Sequence, residues 1–258
     1  MKKRGEQRIF AATFLAPALI LFTIFVAIPS VRALGYSLRR WDGLSTPVYV
    51  GFKNFATLFR DSELFLTALK HNLFLMAAGG SSTLLLALFF AAVLHRRVRG
   101  AALFRMAFFF PNVIASVAIA LLWVLLYSTT NFGVVNGLLF HLKDALAAAG
   151  IAWPPEWALP FPFVDSKYVI YSIVPMMVWT ATGFYMVLFL AAMENIPETF
   201  YEAATLDGAS AFSQFRHITF PLIREVFTVG LVFLVIGSLK FFDAIWVMEN
   251  QWPTKDSH

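Results

Sequence analysis

The sequence predicts an all-α, polytopic bundle of transmembrane helices, and three observations predict it. Five apolar runs are long enough to cross a bilayer. Only 14% of the 258 residues are charged, against 59% hydrophobic. The mean hydropathy is +0.72. Soluble domains carry roughly 25% charge and about 45–50% apolar residues, so this balance belongs to a membrane protein. The runs are too long and continuous for barrel strands, which alternate over about ten residues. Helices are then the remaining way to satisfy every backbone group in a bilayer.

The first run, residues 9–31, follows Lys2, Lys3, Arg4 and Arg8. It exceeds the roughly 7–15 residues of a signal h-region, and no small-residue cleavage site follows it. It fits one crossing of about 20 residues and reads as an uncleaved first helix. The other runs cover residues 65–94, 103–127, 168–193 and 222–248. Pro17, Pro111 and Pro175 lie inside runs and predict kinks, which a bundle tolerates. Two longer connections cover residues 32–64 and 128–167. In the second, Pro154, Pro155, Pro160 and Pro162 argue against continuous helix. Residues 143–149 predict a short amphipathic helix, and Trp153 and Trp157 suit a membrane interface. Repeats and heptads are missing, so residues 1–258 read as a single membrane domain.

The net charge of +5 does not indicate nucleic acid, because the basic residues cap apolar runs and form no patch. Without cysteine there is no disulfide and no thiol chemistry. His71, His95, His141, His217 and His258 lack ligand spacing, so no metal site is expected. Neither a phosphate loop nor a nucleophile elbow occurs, and no catalytic residue is assigned. Lys240 and Asp243, three apart, predict a shared helix face and mutual neutralisation.

Residues 194–221 are polar and helix-forming between two apolar runs. Pro197 suits a first turn, and Glu198 and Glu202 suit the positive end of a helix. Gly208 can stop that helix in the left-handed conformation. Ser210 can cap a second short helix running to about Ile218, after which Pro221 starts the next span. Phe212 and Phe215 offer apolar anchors.

The order Glu-Ala-Ala, three residues, Gly, nine residues, Ile, one residue, Leu-Pro resembles the EAA loop of ABC importer permeases. Glu202, Ala203, Ala204, Gly208, Ile218 and Pro221 fit it, and Phe220 departs from it. Gly51-Phe52-Lys53-Asn54-Phe55 looks like a stretch after the first span of carbohydrate-type permeases. Trp123 with Gly133 and Asn136 is similar to the end of their third helix. Phe242-Asp243 and Pro253 resemble their last helix and its loop, although Gln251-Trp252 replace the usual two glycines. Together these favour the branch of the maltose and glycerol-3-phosphate permeases.

The resemblance implies a type I-like importer fold in which Glu202, Ala203, Ala204, Asp207 and Gly208 dock on an ATPase. It also implies a sugar site near Met177, Thr180, Ala181, Phe184 and Ser238. From the residues alone, the fourth run offers Trp179, Thr180, Thr182, Phe184 and Tyr185, and the fifth offers Ser238, Lys240, Phe241 and Asp243. The solute would be a sugar or oligosaccharide; the alternative is glycerol-3-phosphate or another small solute, and an unrelated intramembrane enzyme or scaffold is the third reading. The expected partners are a second permease subunit, two copies of an ATP-binding subunit, an external solute-binding protein and membrane lipid. ATP and magnesium would sit on the ATPase, with no cofactor in this chain.

Charge bias orients the chain only in part. Arg96, Arg97 and Arg99 in a short loop favour a cytoplasmic N-terminus, whereas Arg32, Arg39 and Arg40 vote against it. The resemblance decides: residues 194–221 face the cytoplasm of a prokaryotic inner membrane, with the N-terminus, and residues 128–167 lie outside. Five spans leave the C-terminus outside, so a sixth span is expected to be missing.

Overall fold

The computed structural model describes residues 2–96, 100–130, 133–155 and 157–250, with only the backbone at 2–9, 11 and 250. Residues 1–69 and 70–258 form two compact units. Arg97, Arg99 and residues 251–258, which include Gln251, Trp252 and Pro253, lie outside the described residues.

In the first unit, α1 (Lys2–Phe22) passes through a π-helical turn, Thr23–Ala27, into α2 (Ile28–Ser37). Helix α1 runs on through Pro17. Residues Ala12–Ser37 form one span-length helix whose apolar side chains stay exposed. A two-residue hairpin follows, β1 (Arg39–Arg40) against β2 (Val48–Tyr49). Its loop is organised by Asp42, which accepts from the N–H and hydroxyl of Ser45, both at 2.7 Å, and from the N–H of Leu44 at 3.0 Å. These bonds, the Ser45 N–H first, pull the exposed Asp42 carboxyl down to about 2. Helix α3 (Lys53–Arg60) is tied to the end of α2, because the Asn54 amide donates to the carbonyls of Ser37 and Arg39. Helix α4 (Glu63–Phe74) begins two residues after Asp61.

The second unit is organised by α9 (Val169–Glu194), which continues through Pro175. Its apolar faces feed two clusters. One joins Tyr185, Met186, Phe189 and Met193 to Leu88 and Ala91 of α5 (Ser81–His95). It also takes in Ile223 and Leu234 of α12 (Phe220–Leu239). The other joins Ile173 and Met176 to Ile119 and Ala120 of α7 (Ser116–Leu126) and to Ala244 and Met248 of α13 (Asp243–Asn250). Small residues set the approach of the helices, as they do in membrane bundles. At Gly183 of α9 an added Cβ would collide with the backbone of Phe108 in α6 (Ala101–Val113). A π-helical turn, Leu75–Gly80, links α4 to α5, and a Cβ on its Gly79 would stand 2.8 Å from Sδ of Met177. Arg105 of α6 and Glu194 of α9 form an ion pair at 2.8 Å, with side chains 41% and 49% exposed. Pairs this open contribute about 0–1 kcal/mol.

Among the described residues, four helices are long and apolar enough to cross a membrane, or five if a bent pair counts as one span. That pair corrects the third run. Helices α6 and α7 meet at 99°, because Ile114 and Ala115 are extended. Pro111, unable to donate to the carbonyl four residues back, weakens the last turn of α6. The fifth run is corrected too. It stops at Leu239, and α13 begins at Asp243, an acid suited to a helix start. Lys240 and Asp243 therefore lie on separate elements and share no helix face.

The connection 128–167 holds α8 (Val134–Ala148), fifteen residues rather than the expected short stretch at 143–149. Its end is closed by bonds from Gly150 N–H to Ala147 and from Ile151 N–H to Leu146. Its start is held by Asn136, 2% exposed. The Asn136 amide donates to the carbonyls of Tyr127, Ser128 and Phe161, and its oxygen accepts the Phe161 N–H at 2.7 Å.

Candidate functional site

The Glu-Ala-Ala segment folds as α10 (Glu198–Leu206), a glycine turn and α11 (Ala211–Gln214). Helix α10 ends in two nested bonds, Gly208 N–H to Thr205 and Ala209 N–H to Ala204. This closure needs the φ of +75° at Gly208, which a residue with a Cβ rarely adopts. Ser210 then caps α11 by accepting the Ser213 N–H at 3.3 Å. The Gln214 amide reaches back to Thr205 Oγ1 at 3.1 Å and the Ala209 carbonyl at 3.2 Å, bracing the turn from inside.

The second half of this segment corrects the sequence reading. Helix α11, a π-helical turn at Phe215–Thr219 and α12 form one helical run, Ala211–Leu239, instead of a surface helix followed by a new span. The π turn explains how Pro221 is accommodated. It ends two residues before Pro221, as Thr23–Ala27 ends two residues before Pro29. A proline cannot donate to the carbonyl four residues back, and its ring crowds that carbonyl. Widening the preceding turn relieves both problems.

Glu202, Ala203, Asp207 and Gly208 are exposed, and Ala204 is half-buried. Around them stand exposed Phe200, Leu206 and Phe212. The inner side is fastened to the bundle. Tyr201 OH lies 2.9 Å from Thr219 Oγ1, and its ring packs on His95 at the end of α5. Phe215 turns inward and begins a file of rings through Phe220, Phe227 and Phe189 to Tyr185, with centroids 5.5–6.4 Å apart.

That file ends at a cavity of about 160 Å³ between α5, α7, α9, α12 and α13. Met177, Thr180, Ala181 and Ser238 line it together, and Phe184 does not. One residue along α9 is about a 100° rotation. This turns Phe184 towards Phe233 of α12 and Tyr185 into the lining. Thr83 and Phe241 also line it; the fifth run offers Phe241, and Thr83 was not expected from sequence. Thr83 lies within the helical run Glu63–His95, where hydropathy carries no facing information.

An apolar helix bundle with a small internal cavity and an exposed, braced helix–glycine turn is the architecture of a membrane transport subunit. The family model described as "binding-protein-dependent transport system inner membrane component" matches residues 83–248. The chain belongs to this family and is a permease subunit of an ABC import system. It is similar to the diacetylchitobiose uptake system permease protein NgcF of Streptomyces coelicolor, 34% identical, covering 93% of this chain and 67% of that protein. It is 33% identical to the sn-glycerol-3-phosphate transport system permease protein UgpA of Escherichia coli, over 89% of this chain and 74% of that one. Its fold matches a solved bacterial ABC transporter involved in the import of the acidic polysaccharide alginate. The TM-score is 0.70 at 23% identity, over 96% of this chain and 82% of the other.

Proposed function

We propose that this permease subunit carries a sugar or oligosaccharide inward across the inner membrane by alternating access. The similarity to a diacetylchitobiose uptake permease supports a sugar; similarity to a glycerol-3-phosphate permease supports the alternative solute. The carrying observation is the braced turn at Gly208, exposed on one side and fastened to α5 and α12 on the other. In this reading residues 194–221 face the cytoplasm and dock on an ATP-binding subunit through Glu202, Ala203, Ala204, Asp207 and Gly208. Leu206 and Phe212 add apolar contact. ATP and magnesium belong to that partner, present in two copies, and a second permease subunit completes the membrane core. An external binding protein delivers solute, the N-terminus is cytoplasmic, and residues 128–167 are external.

Met177, Thr180, Ala181 and Ser238 would touch the solute. The cavity is smaller than the roughly 300–1,000 Å³ of sites that enclose a whole drug-sized ligand. This chain would hold part of an oligosaccharide and share the rest with the second permease subunit.

Gly208→Asp tests the assignment. It adds a charge and a Cβ at a left-handed, exposed position, where no neighbour lies within 4 Å. Membrane insertion should remain while ATP hydrolysis no longer drives uptake. Normal uptake by this variant would sink the docking role. Gentle purification of the wild type from native membranes, with mass spectrometry of what remains bound, tests the partners. A P-loop ATPase and a second permease are expected.

A further inference from the structure

We infer that α3 lies flat on an anionic lipid surface, with Phe52, Phe55 and Phe59 in the acyl boundary and Lys53 and Arg60 at the phosphates. Phe52 stands directly before the first residue of α3. At 100° per residue, the three phenylalanines fall within about 60° of one another around the helix. Phe52 and Phe59 are 77% and 56% exposed, and Phe55 is 38% exposed. Asn54, Thr57 and Asp61 take the opposite side. Lys53 and Arg60, seven residues apart, stand on one line flanking the apolar stripe. Large rings on one face with cations beside them are the composition of a helix that rests in a membrane surface. Long cationic side chains there lay their stems along the apolar layer and hold their heads among the phosphates.

The neighbours of α3 set it at that level. The span-length helix Ala12–Ser37 ends at Ser37. The Asn54 amide donates to the carbonyls of Ser37 and Arg39 at 2.9 and 2.8 Å, which fixes the first turn of α3 to the end of a span. Tyr36 and Trp41 stack at 4.8 Å beside the same point. These residue types gather where membrane meets water. At the other end, the run Glu63–His95 begins three residues after Arg60. Phe59 packs edge-on against Phe65 in the first turn of that run, at 5.3 Å. Held at both ends, α3 stays at the bilayer surface. The charge agrees. Between the two spans Arg39, Arg40, Lys53 and Arg60 outnumber Asp42 and Asp61. Asp42 is engaged by its own loop. Basic residues in excess at a membrane surface attract anionic headgroups.

The test uses the full chain, which has no native cysteine. It is reconstituted in vesicles of phosphatidylcholine alone or of phosphatidylcholine and phosphatidylglycerol in equal parts. A nitroxide is attached at Ala56→Cys, beside the apolar stripe, or at Thr57→Cys on the polar side. Both positions are exposed, and all three phenylalanines stay in place. Collisions of the label are measured with oxygen, which concentrates in lipid, and with a water-soluble nickel chelate present on both sides of the bilayer. In the mixed vesicles the ratio of oxygen to chelate collisions should be several-fold higher at 56 than at 57. Lys53→Ser together with Arg60→Ser should move the label at 56 towards water in the mixed vesicles and leave it in place in phosphatidylcholine. Equal ratios at 56 and 57 overturn the inference. So does a label at 56 that meets neither reagent, because protein would then cover that face. A double variant that leaves the label at 56 unmoved in the mixed vesicles overturns the part given to the anionic headgroups.

Discussion

Asn136 puts its whole amide to work on backbone groups that have no other place in a regular element. It gathers carbonyls from the end of α7 and from the proline-rich stretch near Phe161, so two parts of residues 128–167 close on one side chain. In Asn136→Leu the Tyr127 and Ser128 carbonyls and the Phe161 N–H lose this partner, while the Phe161 carbonyl keeps the Phe163 N–H. Each buried group left unsatisfied costs about 1–3 kcal/mol. The variant should insert normally but unfold at lower temperature, with new protease cleavage between residues 149 and 163. An unchanged cleavage pattern would show that the bonds contribute little. The sequence reading singles out Asn136 only by resemblance, because its meaning comes from a partner 25 residues away.

Among the elements, α9 is the one on which the others depend, and its closest approach is to α6. Gly183→Ala places a methyl against the Phe108 carbonyl, a backbone atom that cannot swing aside. Overpacking of this kind costs about 1–3 kcal/mol, and here it acts on an interface already set by small residues. Detergent-solubilised protein should lose thermal stability, and a second substitution elsewhere in α9 should not restore it. Wild-type stability would mean that α6 yields more easily than its geometry suggests. Local chemistry makes the turn at Gly208 and the Ser210 cap legible in the sequence. The bend at Ile114 and Ala115, the stop at Leu239 and the fusion of α11 with α12 are not legible that way. Hydropathy reports that a segment is apolar and says nothing of its direction. The same blindness separates Phe184 from Tyr185. Both are aromatic residues in one apolar helix, and only packing decides which reaches the cavity.

For the molecule as a whole, the apolar windows of the span-length helices leave much of their surface uncovered by this chain. Half of the window in Val169–Glu194 is buried, but only 22% of that in Ala211–Leu239. In the assembly proposed above, lipid and partner subunits cover the rest, so in detergent the isolated chain should be less stable than the assembled transporter. The side assignment gives a direct check. A cysteine placed at Phe212 should react with a membrane-impermeant thiol reagent only from the cytoplasmic face, and one placed at Leu138 only from the outer face. The chain has no native cysteine to confuse the result. The reverse labelling would invert the whole topology and remove residues 194–221 from any ATPase.

The unbroken run Ala211–Leu239 has a mechanical consequence. At 1.5 Å per residue, its 29 residues make a rod about 43 Å long. One end stands beside the glycine turn, and the other carries Leu234, Gly237 and Ser238 in the cavity wall. Pivoted at its middle, a rod of this length needs a tilt of only about 5° to move each end by about 2 Å. That displacement is comparable to the difference between a hydrogen bond made and one lost. A push at the glycine turn would then shift Leu234, Gly237 and Ser238 in the cavity wall without any helix melting or any side chain being replaced.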